Sequence, residues 1–98
     1  MFKYFKGGNK LNLKEIIEEA IKIYNHFRSP EAIAKLIEVS LNQFTVEFKG
    51  PFCRSCGVYD YFEDLIYEIK SLVSSLNIEV AEVKENDEGF IVIYKILS

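Results

Sequence analysis

Apolar residues recur at helical spacing from Val58 through Phe62, Leu65, Ile66, Ile69, Leu72 and Val73 to Leu76. Asp60, Glu63, Asp64, Tyr67, Glu68 and Ser71 occupy the opposite side. A one-sided stripe this long cannot stay in water, so it requires a second layer to pack on. The chain after it supplies one. Residues 78–84 and 90–97 alternate in the manner of strands, with the turn-forming Glu85-Asn86-Asp87-Glu88-Gly89 between them, which predicts a hairpin. The last strand is apolar on both faces, with Phe90, Val92, Tyr94 and Ile96 on one and Ile91, Ile93 and Leu97 on the other. Such a strand lies centrally in a sheet, or its second face is covered by a neighbouring subunit.

Upstream, Asn12 is placed to cap a helix, with Glu15 three residues on as in a capping box and Leu11 and Ile16 spaced as a hydrophobic staple. Leu13, Ile16, Ile17, Ala20, Tyr24 and Phe27 mark its apolar stripe, which Ile21 and Ile23 widen, and Glu18–Lys22 is a favourable i,i+4 pair. Ser29-Pro30 ends it. Residues 31–41 support two readings, a short helix on Ala32, Ile33, Leu36 and Ile37, or a strand over 37–41. The strand is the better match to the alternating Phe44-Thr45-Val46-Glu47-Phe48. A turn at Asn42-Gln43 then sets Leu41 opposite Phe44, Val39 opposite Val46 and Ile37 opposite Phe48, all on one face. This register places Glu38 against Glu47, a like-charge cost, and it leaves a helical turn at 30–34.

The expected architecture is therefore one α+β domain over residues 1–98, a two-layer sandwich in the order α-ββ-α-ββ. Its antiparallel sheet is built from 36–41, 43–49, 78–84 and 89–97, with helices packed on it. The second hairpin is expected to pair Glu79 with Lys95 and Val83 with Ile91.

Ninety-eight residues, 49% hydrophobic, can bury one core without staples. The 8 Phe and 6 Tyr exceed what a two-layer fold of this size readily hides. Phe44, Phe48, Phe52, Phe62, Phe90 and Tyr94 are accordingly candidates for a homo-oligomer interface or a pocket for a small hydrophobic ligand. Net charge is −3, which argues against general nucleic-acid binding. The basic arm 1–10 opens Phe2-Lys3-Tyr4-Phe5-Lys6, interleaving base and aromatic as single-strand surfaces do. Three lysines on an acidic body fit an edge strand or subunit-swapped arm better. No stretch resembles a secretory signal or a membrane span, so a cytoplasmic protein is expected. The abundance of Ile, Glu, Lys and Tyr resembles thermophile usage.

Cys53-Arg54-Ser55-Cys56, just before the long amphipathic stripe, is the one cluster with chemical specificity. The first turn of a helix offers free N–H groups and a positive dipole end, which lower a thiol pKa, most at Cys56. A redox pair, half of an intersubunit zinc site, a local disulfide and two incidental thiols all remain open. His26, near the end of the first helix, reads as structural or solvated, and Asp60, Glu63 and Asp64 as a solvated face. No phosphate loop, zinc-protease motif or nucleophile elbow is present, so no catalytic residue is assigned and no cofactor is expected beyond zinc.

Cys56-Gly57-Val58 opening a long helix, then Ile78-Glu79-Val80-Ala81-Glu82 and Gly89-Phe90-Ile91-Val92-Ile93, resemble the 4-vinyl-reductase and Bet3-type ligand-binding domain. The resemblance spans about residues 33–97 and implies that fold. It carries no functional residue to this chain, and an uncharacterised small archaeal-type protein would share these words. Two classes of function follow: a non-catalytic binding or assembly module, or a thiol-dependent protein using Cys53 and Cys56.

Overall fold

The computed structural model describes residues 12–51 and 58–97. Six elements follow in order: α1 (Leu13–Arg28), β1 (Ile33–Val39), β2 (Gln43–Lys49), α2 (Val58–Leu72), β3 (Ile78–Glu85) and β4 (Gly89–Ile96). The strands form one antiparallel sheet in the order β1-β2-β4-β3. This is the predicted α-ββ-α-ββ sandwich of two hairpins, and β4 is central, one of the two placements its apolar faces allowed. The basic arm 1–10 and the staple residue Leu11 lie outside the described residues.

The core forms where α1 and α2 cover one sheet face. Ile17, Ala20 and Tyr24 from α1, Phe62, Leu65 and Ile69 from α2, and Val46, Phe48, Val92 and Tyr94 from the central strands are all fully buried. Asn12 caps α1, its side chain accepting from the Lys14 N–H at 2.8 Å. Arg28 is the last helical residue, and the chain leaves through Ser29-Pro30. The surface ion pair on α1 is Lys22 with Glu19 at 3.7 Å rather than with Glu18.

The first hairpin corrects the expected register. Observed partners are Val39↔Phe44, Leu36↔Val46 and Ala34↔Phe48, with an irregularity between Leu36 and Glu38. Strand β1 therefore begins at Ile33, and the helical turn predicted over 30–34 does not form. Leu41 lies in the connection, 95% exposed, and Ile37 is half exposed at the bulge. Electrostatics and packing both favour this arrangement. Lys35, not Glu38, now faces Glu47, and Glu38 faces Thr45, so the like-charge contact is gone. The small Ala34 also lets α1 come close over the sheet. The Asn25 side chain donates to the Ala34 carbonyl at 3.0 Å and accepts from its N–H at 2.8 Å.

In the second hairpin Glu79 pairs with Lys95 as predicted. Val83 pairs with Val92 rather than Ile91, because an extra residue enters between Val80 and Glu82. The turn is held by Asn86, whose side chain accepts from the N–H groups of Glu88 at 2.9 Å and Gly89 at 2.8 Å. Gly89 must be glycine for close approach, since a Cβ there would run into the Phe48 carbonyl. Gly50, with φ +132°, turns the chain away from β2 against the Glu31 carbonyl.

Candidate functional site

Cys53 and Cys56, together with Phe52, lie outside the described residues. Of the aromatic candidates, Phe44, Phe48, Phe62 and Tyr94 are buried and Phe90 is half-buried. They pack on one another: Phe44 stacks on Tyr94 at 4.8 Å, while Phe62 meets Phe48 at 5.1 Å and Phe90 at 5.3 Å. Beneath α2, Phe44, Phe48, Phe62 and Tyr94 belong to the protein's own core, with Phe90 at its partly exposed margin.

The polar chemistry of the described residues concentrates where α1 meets α2. Tyr24 donates its hydroxyl to the Tyr61 carbonyl at 2.9 Å, and Tyr94 donates to the Phe62 carbonyl at 2.8 Å. One hydroxyl from α1 and one from the sheet thus hold consecutive peptides of α2. Burial raises both phenol pKa values well above the ordinary 10.0. Arg28 lies over the Tyr24 ring, 4.5 Å from its centroid. From there its Nε reaches Asp64 at 3.3 Å and its Nη1 reaches Glu68 at 3.4 Å. Tyr61 is hydrogen-bonded through its hydroxyl to Glu31, which raises its pKa. These groups all join α1, α2 and the 29–32 connection. Their arrangement fastens these elements together.

Asp60 and Glu63 are exposed as expected, whereas Asp64 turns toward α1 and Arg28. His26 is exposed beside the ring of Phe27 at 5.0 Å. Among the described residues, no group of three or more His, Cys, Asp or Glu is placed to hold a metal ion. No described helix is long and apolar enough to cross a membrane.

The two outer strands form the edges of the sheet. Both carry a one-residue irregularity near mid-strand. At β1 the outward N–H and C=O of Ala34 are taken by Asn25. At β3 the backbone alternation leaves the groups of Ile78, Val80, Val83 and Glu85 pointing away from β4. Leu97 donating to Asn77 and Asn86 donating to Gly89 mark the bonded positions from which that alternation is counted. Sequence reasoning missed Asn25 and Arg28. The Tyr24/Arg28 spacing of one helical turn was the available signal for the second, and nothing local marks the first.

Comparison with protein-family models, with curated proteins and with solved structures gives no match to this chain.

Proposed function

We propose that this chain is a non-catalytic assembly module that works as a homo-oligomer. The observation that carries the reading is that, among the described residues, the sheet is covered on one side. Both helices lie on one face, and Ile33 and Ile37, 44% and 50% exposed, line the other with the half-buried Ile91 and Ile93. On the helix side, α2 exposes the rings of Tyr59 at 57% and Tyr67 at 71%. Apolar side chains of this size on a small domain favour a partner surface. The polar residues between the helices, by contrast, are engaged in holding the fold. The resemblance to a ligand-binding domain extends the reading to a small hydrophobic ligand carried by the assembled form.

Light scattering at tens of micromolar tests it. The expected mass is a multiple of 11.4 kDa. A monomer at that concentration overturns the proposal.

A further inference from the structure

We infer that two copies of this chain join edge to edge through β3, in antiparallel register about a two-fold axis at Ala81–Glu82. The inference rests on the assembly reading and assigns a contact at the sheet edge, separate from the open face. It begins from the bulge. In a regular strand Val80 and Val83 would point to opposite faces. The extra residue between Val80 and Glu82 returns both to the helix-covered side, where they pair with Tyr94 and Val92 of β4. Glu79 and Lys84 are likewise brought together on the open side, opposite Lys95 and Ile91.

This makes β3 complementary to itself. Turned about the axis, Val80 meets Val83 of the second copy, and Glu79 meets its Lys84, each pair occurring twice. The bulge of one strand faces the bulge of the other, so both strands keep the same length through the centre. Val80 and Val83 are also among the residues whose N–H and C=O already point outward, so each such pair can exchange two hydrogen bonds. The like-charge contact is Glu82 near its own mate. Each Glu82 carboxylate already has Lys84 Nζ at 3.7 Å.

The flank of α2 adds apolar area to the strand pairing. Tyr61, Asp64 and Glu68 face α1, and Phe62, Leu65 and Ile69 face the sheet. By helical periodicity the third side carries Tyr59, Ile66 and Lys70, turned toward β3 and across it toward the second copy. Tyr59 is 57% exposed although its ring touches Phe62 at 5.5 Å. Pairing of this kind yields a continuous eight-stranded sheet whose two ends are both β1. Asn25 occupies the outward groups of Ala34 at each end, which opposes addition of a further strand there.

The test is sedimentation equilibrium on the full chain and three variants, with circular dichroism to confirm folding. Wild type is expected to be a dimer, and Val80→Pro a folded monomer, because its lost N–H points outward and not to β4. Lys84→Glu should weaken the dimer by about tenfold or more, with like charges now paired twice across the axis. The double exchange Glu79→Lys/Lys84→Glu should restore dissociation to within about threefold of wild type. Rescue of that kind cannot come from a merely structural effect on the monomer. A wild-type oligomer indifferent to all three variants overturns the β3 contact while leaving the assembly reading intact. A wild-type monomer overturns both.

Discussion

The two outer strands of the sheet are built alike and finished differently. Each closes a hairpin on a central strand, and each admits one irregularity, at Leu36/Glu38 in β1 and at Val80/Glu82 in β3. Strand β1 runs under α1, buries Ala34, and has its outer peptide groups at that residue held by Asn25. Strand β3 buries no residue fully and alternates between half-buried and exposed positions. A helix side chain therefore covers β1 at Ala34, while among the described residues no such side chain covers β3. Edge character here is a property of the neighbour, not of the strand.

The largest test of this comparison is Phe62→Ala. Its ring lies between Phe48 of the first hairpin and Phe90 of the second, so both should lose support together. Unfolding in denaturant is expected to show one transition, destabilised by about 3–5 kcal/mol. Separate transitions for the two hairpins would show that the closed and open halves of the sheet do not fold as a unit.

Asn25→Ala sharpens the comparison at lower cost. It removes two hydrogen bonds from Ala34 and should destabilise by about 1–2 kcal/mol. Hydrogen exchange at the Ala34 amide should accelerate well beyond that of the β2–β4 ladder. The β1 edge would then resemble β3, and larger assemblies should appear in light scattering. Unchanged exchange at Ala34 would remove the distinction between the two edges.

The smallest effect concerns the hydroxyls that fasten α2. Tyr24 and Tyr94 have folded pKa values raised by burial above the ordinary 10.0. Their protonated forms are thus favoured in the native state, and their contribution is complete below pH 10 and lost as pH rises through the folded values. Tyr24→Phe and Tyr94→Phe should each cost about 1 kcal/mol at pH 7 and flatten the fall in stability above pH 10. Chemical denaturation at pH 7 and pH 11 reads both. A slope above pH 10 identical in wild type and both variants would assign the alkaline loss elsewhere.

The element order, both helices, the cap at Asn12 and the stop at Ser29-Pro30 were legible in the sequence. Each of these depends on local spacing: a period of 3.6 or 2, a capping side chain, a proline. The two bulges were not legible. A bulge leaves the sequence looking like an ordinary alternating strand, and its position depends on which partner residues pack best. Thus Val39-Ser40-Leu41 reads as strand, yet Leu41 ends in the connection because Lys35 facing Glu47 and Ala34 under Asn25 favour a shifted register. The aromatic residues show the same division. Their number signalled a ring-rich interior or interface, but only tertiary packing set Phe62 between Phe48 and Phe90 and left Tyr59 and Tyr67 outside. Local pattern determined what each segment became. Long-range contacts, between residues such as Arg28 and Asp64 that are far apart in the chain, decided register, edges and exposed surface, because those depend on free-energy differences between partners no local window contains.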